Sequence, residues 1–199
     1  MLYQVYQIKD PSRPGPAGLV TAIEDMREQI ERNGAGVFGV FGSLLGLASN
    51  QVYLVTFGES ELDIQLPSPF ERVSTTTLKP TIRPVSHQPV TEPGVYVFRW
   101  FRVSSKDVHD IVQLSGEAWP TFEEDFDTRV QGLFVQDTPE PDTMLLITWY
   151  RNMAEWEASR QPRPEARENF LKRHQLTHSA LPIATALMGD NRPGLVSHA

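Results

Sequence analysis

Val130-Gln-Gly-Leu-Phe134 repeats the earlier stretch Val37-Phe-Gly-Val-Phe41 at a distance of 93 residues, from position 37 to position 130. Val55-Thr-Phe57 returns as Ile147-Thr-Trp149 at a distance of 92 residues, from 55 to 147. A near-constant offset in separated segments indicates two copies of one unit, because chance similarity does not keep its spacing. The chain of 199 residues is also long enough for two such units.

Hydrophobic periodicity and turn residues predict the elements of each copy. The first copy contains predicted strands at 2–9, 37–41, 51–57 and 73–79, one helix with the apolar residues Leu19, Ile23, Met26 and Ile30, and at most a short helix in 59–72. The second contains predicted strands at 95–103, 130–136, 143–150 and 180–188, and helices beginning at Ser104, 152 and 164. The pair Trp119-Pro120 is expected to kink or split the first of these helices, because proline cannot donate the backbone hydrogen bond.

Each copy therefore has the order β-α-β-β-α-β, with the last helix reduced in the first copy. This order predicts an α+β fold of tandem ferredoxin-like repeats, 1–86 and 95–190, joined by a linker at 87–94. A sheet with helices on one face leaves its other face to be covered. We expect the two repeats to lay these open faces together and form a pseudo-dimeric α/β barrel.

Composition limits the function classes. The net charge of −7 argues against a nucleic-acid or anionic-membrane partner, since both require clustered cations. The absence of cysteine excludes disulfides and thiolate sites, and no stretch approaches the roughly 20 apolar residues of a membrane span. Leu2–Tyr6 reads as a strand rather than as an export signal. A cytoplasmic protein without a membrane partner is expected.

Four stretches of the second repeat carry a family resemblance: Tyr96–Phe101, Gly132–Phe134, Leu146–Tyr150 and Ala154–Arg160. Their order and spacing resemble the NIPSNAP family of the dimeric α/β-barrel superfamily, with a fainter echo in residues 2–58. The first repeat has Tyr6 at the position that Arg99 holds in the second. The resemblance therefore implies an asymmetric cavity formed mainly by the second repeat.

Relatives in this superfamily include cofactor-free monooxygenases, haem-degrading and haem-binding enzymes, and lactone-forming isomerases. The resemblance implies a small-molecule-binding barrel with cofactor-independent monooxygenase-like or isomerase-like activity on a hydrophobic metabolite. Two alternatives stay open: a haem-binding protein of the same superfamily, and a non-catalytic structural or partner-binding barrel with a packed interior. Further oligomerisation is possible in each case, although barrel formation does not require it.

Arg99 is the leading candidate binding residue. Strand alternation places Arg99 and Phe101 on one face of the strand 95–103. A cation among apolar neighbours is costly unless it is paired, so Arg99 is expected to hold an anionic or carbonyl group of the ligand. An ordinary structural salt bridge is the alternative. Phe101 and Trp119 are expected to form apolar walls of the cavity, with a core position as the alternative for Trp119.

The histidines supply the candidate proton-transfer and haem-ligating groups. His109 is assigned proton transfer, although its helical phase at the edge of the apolar stripe also suits a surface histidine. In a haem-binding protein, His109 or His174 would be the axial ligand. The sequence itself requires no cofactor, and haem is the runner-up.

Two other patterns indicate no metal site. His174 and His178 are four residues apart but lack a third ligand, so they are expected to be ordinary helix-end histidines. The acidic run 123–127 lacks the glycine and the ligand spacing of a calcium loop and is expected to be a solvated helix face.

Overall fold

The computed structural model of the protein describes residues 1–189. The first half of the chain contains β1 (Leu2–Lys9), α1 (Ala17–Asp25), α2 (Arg27–Arg32), β2 (Ala35–Leu45), β3 (Gln51–Gly58) and β4 (Glu71–Pro80). The second half contains β5 (Val95–Val103), a 3-10 turn (Ser105–Asp107), α3 (Val108–Asp125), β6 (Thr128–Gln136), β7 (Thr143–Tyr150), α4 (Met153–Ala158), α5 (Pro164–Gln175) and β8 (Thr177–Met188). Within residues 1–189 this is the predicted α+β class, with eight strands and five α-helices.

The chain forms two compact units. Unit 1 comprises Met1–Thr77, His87–Pro93 and the described residues from Ala184 onward. Unit 2 comprises Leu78–Ser86 and Gly94–Ile183. Each unit therefore draws residues from both of the predicted repeats, because β4 and β8 contribute to both.

In unit 1, β3 is the central strand. It pairs antiparallel with β1 along its whole length and with β2 on its other edge. The outer edge of β2 pairs antiparallel with the end of β8, from Val40 opposite Met188 to Leu45 opposite Ala184. The last strand of the second half of the chain thus completes the sheet of unit 1.

Unit 2 has the same strand order. Its central strand β7 pairs antiparallel with β5 and β6, and residues 78–80 of β4 pair with β6. The β6–β7 register shifts between Val130 and Gly132, and the β2–β3 register shifts between Val37 and Gly39, 93 residues earlier. That the two halves are copies of one unit stays a prediction from the sequence, with these matching registers in its favour.

The helices agree with the predicted positions but not always with the predicted lengths. The helix predicted from Leu19 to Ile30 is present as α1 and α2, and the amide of the intervening Met26 donates to two carbonyls. Gly34, at a φ of 83°, ends α2 in the left-handed conformation that glycine allows. Pro120 does not split α3, which continues as one helix because Ile111 and Trp119 before the proline and Phe122 after it bury its inner face.

Residues 59–70 differ most from the second half of the chain. No helix or strand is present there, although a short helix was the upper limit of the prediction. Ile64 is buried in the core of unit 1, and Leu62, Leu66 and Phe70 pack against that core. The Tyr6 hydroxyl donates a hydrogen bond to the Leu62 carbonyl. This segment occupies the place in the chain order that α4 and α5 hold in unit 2.

Gly94, which precedes β5, provides a test of how closely the start of β5 packs against the end of β7. A Cβ at Gly94 would lie 2.4 Å from Trp149 Nε1 and 2.5 Å from the Tyr150 carbonyl oxygen, at a φ of 155°. We expect Gly94→Ala to lower the free energy of unfolding by about 1–3 kcal/mol, because the backbone oxygen cannot move aside. Gly15→Ala is the control, since nothing lies within 4 Å of the added Cβ, and its effect should stay within about 0.5 kcal/mol. Urea denaturation measures both, and equal stability of the two variants would contradict the packing described.

Candidate functional site

Two neighbouring strands of unit 2 place alternate side chains in one space. Arg99 on β5 lies opposite Leu146 on β7 in the antiparallel register, and Phe101 lies opposite Met144. Successive side chains of a strand point to opposite faces, so Leu146, Thr148 and Tyr150 share one face of β7. All three line a cavity together with Arg99 and Phe101. The predicted alternation along β5 therefore holds.

The cavity has a volume of about 470 Å³, within the usual range for a small-molecule site. Helices and their connections supply its other walls, and all lining residues belong to unit 2. These residues are Trp119 and Phe122 of α3, Trp156 of α4, Ser159, Arg160 and Pro162 after it, and Arg167, Phe170, Leu171, Arg173 and His174 of α5. Val130 of β6 and residues 177, 180 and 182 of β8 complete the lining.

Three of the four residues selected from the sequence meet at this cavity. Arg99 is half-buried, whereas Phe101 and Trp119 are buried. His109 is exposed on α3 and does not line the cavity, because it lies two residues before the inward-facing Ile111, about 200° away around the helix. Its position gives no support for the proton-transfer role. His174 does line the cavity, at an exposed position on α5.

The charge of the lining is one-sided. Of the residues that the structure describes, four arginines and His174 line the cavity, and no aspartate or glutamate does. Among the described residues 1–189, none of these four arginines forms an ion pair with a carboxylate. Seven other arginines do form one: Arg27, Arg32, Arg72, Arg83, Arg102, Arg151 and Arg163. The cavity is therefore cationic in a chain whose net charge is −7.

Arg173 is the most buried of these cations, with 6% of its surface exposed. Its guanidinium carbon lies 4.8 Å from the ring centre of Phe170 and 5.3 Å from that of Phe101. Its Nη1 donates to Ser115 Oγ at 3.3 Å, and Ser115 donates onward to the Ile111 carbonyl at 2.6 Å. Burial, together with the nearby charge of Arg99, lowers the pKa of Arg173 to about 9. The guanidinium still carries its charge at pH 7.

The sequence interpretation missed Arg173, although a signal for it exists. Ala166, Phe170 and Arg173 are spaced i, i+4 and i+7, which places them on one face of α5. Ala166 and Arg173 are buried on that face. The other positions of α5 are mostly polar or charged, so the apolar stripe is too narrow to identify an inward arginine from the sequence alone.

Tyr150 supplies a neutral polar group beside the cations. Its side chain is buried, and burial raises the pKa of its hydroxyl, an effect that Arg99 and a hydrogen bond with Ser159 partly offset. The hydroxyl therefore stays protonated at pH 7. Beside Arg99 and Arg173, the cavity thus offers a neutral hydroxyl to the same ligand.

Trp119 is held in place by a charged pair behind it. Arg83 donates two hydrogen bonds to the Glu123 carboxylate, at 2.5 and 3.0 Å, and its guanidinium carbon lies 5.0 Å from the Trp119 ring centre. Glu123 also accepts a hydrogen bond from the Val130 amide at 2.7 Å, which ties α3 to β6. The acidic run 123–127 is thus engaged in ion pairs, and no group of three metal-ligating side chains occurs within residues 1–189.

Comparison with known proteins identifies the fold. No family model matches the chain, and no curated protein matches it. A solved anthrone oxidase-like protein is 10% identical, with 94% of this chain and 92% of that chain covered and a TM-score of 0.62. A mutant chlorite dismutase from Candidatus Nitrospira defluvii is 8% identical, with coverage of 94% and 92% and a TM-score of 0.60. A heme-degrading enzyme from Listeria monocytogenes is 11% identical, with coverage of 92% and 98% and a TM-score of 0.50.

These similarities confirm the predicted fold class, the ferredoxin-like α+β fold of the dimeric α/β-barrel proteins. At such low identity they show the fold alone. Within residues 1–189, no helix is both long and apolar enough to cross a membrane.

Replacement of Arg173 tests whether its charge is uncompensated. We expect Arg173→Met to raise the free energy of unfolding at pH 7 by about 1–3 kcal/mol, because an apolar side chain of similar length removes a desolvated cation. The pKa near 9 in the folded state is below that of the unfolded chain, which therefore holds the proton to higher pH. Wild-type stability should accordingly rise relative to Arg173→Met as the pH increases above about 9.

Urea denaturation of both proteins from pH 7 to pH 10.5 measures this difference. Arg163→Met, at an exposed arginine paired with Glu124 and Asp125, is the control and should change stability by less than about 1 kcal/mol. A destabilised Arg173→Met at pH 7 would mean that the fold itself compensates the charge.

Proposed function

We propose that the unit 2 cavity binds a hydrophobic metabolite that carries an anionic group, and that Arg99 and Arg173 hold this group. One observation supports the proposal. Two neighbouring guanidiniums line an aromatic cavity of about 470 Å³, and no carboxylate of the described residues pairs with them. A desolvated cation is costly unless it is paired. A bound anion supplies the missing charge.

The remaining lining suits the apolar part of such a ligand. Phe101 and Trp119 present buried aromatic surfaces, and the protonated Tyr150 hydroxyl can donate a hydrogen bond to an oxyanion. A cavity of this size also argues against the non-catalytic alternative, in which the interior is packed.

The same groups suit a reaction that proceeds through a substrate anion. Guanidiniums in a water-poor cavity stabilise an enolate or phenolate more strongly than water does. Cofactor-independent monooxygenase-like and isomerase-like reactions both need such an anion, so either activity is proposed for this cavity. His174 carries the only imidazole among the described lining residues, and this group can accept or return a proton.

We also propose kinship with the NIPSNAP family. Three of the four stretches that carry the resemblance contribute to the cavity lining, through Arg99 and Phe101, through residues 146–150, and through Trp156 and Arg160. The resemblance is therefore concentrated at the candidate site.

Binding of a matched pair of probes tests the proposal. Biphenyl-4-carboxylate and its neutral analogue biphenyl-4-carboxamide have the same shape and differ in charge. We expect the carboxylate to bind about tenfold or more tightly, since hydrogen bonds to charged groups contribute about 1.5–3 kcal/mol. Arg99→Met should remove that preference, as measured by isothermal titration calorimetry.

Arg102→Met is the control for this experiment. Arg102 lies on β5 three residues from Arg99, on the opposite face, and pairs with Asp142 at 2.7 Å. The control should keep the wild-type preference for the carboxylate. Equal binding of the two probes to the wild-type protein would rule out the proposed anion site.

Haem is the second candidate ligand, and the position of His174 favours it. His174 lines the cavity, where arginines could pair with haem carboxylates and aromatic rings could contact the macrocycle. Haem would supply redox chemistry at its iron, and His174 would be the residue that holds that iron. His109, the other ligand considered from the sequence, does not line the cavity.

A haem titration tests this second candidate. We expect a Soret shift on adding haem to the wild-type protein and its loss in His174→Ala. His109→Ala is the matched control and should keep the shift. An unshifted Soret band with the wild-type protein would exclude haem.

A further inference from the structure

The cations of the cavity fall into two groups that differ in depth. Arg173 is buried and Arg99 is half-buried, and the two lie close enough for the charge of Arg99 to lower the pKa of Arg173. Arg160 and Arg167 line the same cavity but are exposed. An inner pair, Arg99 and Arg173, and a rim pair, Arg160 and Arg167, therefore face the same space.

The rim pair differs from a neighbouring arginine in its charge pairing. Arg163 lies in the connection between α4 and α5, as Arg160 does, and it pairs with Glu124 at 2.7 Å and Asp125 at 2.8 Å. Neither Arg160 nor Arg167 forms such a pair within the described residues. Arg160 instead lies over the Trp156 ring, with its guanidinium carbon 5.4 Å from the ring centre.

This contact leaves the guanidinium of Arg160 available to a ligand. Stacking on an aromatic face restricts the side chain but does not neutralise its charge or use its N–H donors. Trp156 itself lines the cavity and is half-buried. The rim cation Arg160 is thus held by an aromatic ring that also lines the cavity.

A single anionic group held by the inner pair leaves the charges of the exposed rim pair without a bound partner. An anion held by the inner pair is partly neutralised there, and solvent at the rim weakens its attraction for exposed cations. We infer that the ligand has two anionic groups on an apolar, aromatic or long-chain body, one bound by the inner pair and the other by the rim pair. This inference rests on the function proposed for the cavity and narrows its substrate class to amphipathic dianions, such as dicarboxylates.

Calorimetry with two probes that differ at one end tests the inference. Biphenyl-4,4′-dicarboxylate and 4′-carbamoylbiphenyl-4-carboxylate share the first carboxylate and differ only in the charge of the second group. The dicarboxylate should bind about 3- to 10-fold more tightly, the size expected for two exposed ion pairs. The gain should shrink between about 0.05 and 0.5 M NaCl, because rim charges are screened. The comparison is repeated with dodecanedioate and its monoamide, whose flexible chain adapts to the spacing of the two pairs.

Variants show which arginines are responsible for the tighter binding of the dicarboxylate. The double variant Arg160→Gln/Arg167→Gln should lose the gain that the rim pair supplies and keep only the statistical preference for a probe with two equivalent carboxylates, while Arg163→Gln should keep the wild-type difference. Circular dichroism spectra and thermal unfolding confirm that both variants are folded.

Two results would overturn the inference: no gain from the second carboxylate in either probe pair, or a gain as large in the double variant as in the wild-type protein. If the monocarboxylates bind in an Arg99-dependent manner in those cases, the proposed function stands and only the dianion fails. Absence of Arg99-dependent binding of every probe would instead reject the proposed function itself.

Discussion

Hydrogen bonding on both edges of β7 is the constraint on which the site depends. Its antiparallel partners β5 and β6 fix the register, and a slip of one residue would turn every side chain to the other face. Thr148 and Tyr150 therefore face the cavity together, and Arg99, opposite Leu146, enters the same space. The helices α3, α4 and α5 then close a volume whose polar groups the sheet has already positioned.

The two units share one strand order, but unit 1 is packed where unit 2 encloses the cavity. In unit 1, Tyr6 stands 93 residues before Arg99, and its hydroxyl is satisfied by the Leu62 carbonyl. The segment 59–70 packs Ile64 into the core there. In unit 2 the corresponding part of the chain forms helices that line a cavity instead. The asymmetry follows from this replacement, because the packed segment fills space while α4 and α5 enclose it.

The cations of the cavity show an arrangement that stability alone does not favour. Burial of Arg173 beside Arg99 lowers the pKa of Arg173, which means that the fold disfavours the charge it contains. The chain has 25 acidic residues against 18 basic ones, yet none of the described acidic residues lines this cavity. Groups that reduce stability in a cavity are characteristic of binding and catalytic sites.

The sequence by itself determined the features that depend on local pattern. Strand alternation placed Arg99 and Phe101 on one face, and hydrophobic periodicity with turn residues predicted the order of elements. The sequence left undetermined the burial of Arg173, the exposure of His109 and the contributions of β4 and β8 to both units. Only the tertiary structure decided these, because burial and charge pairing depend on which distant segments pack together, whereas periodicity records the environment of one segment at a time.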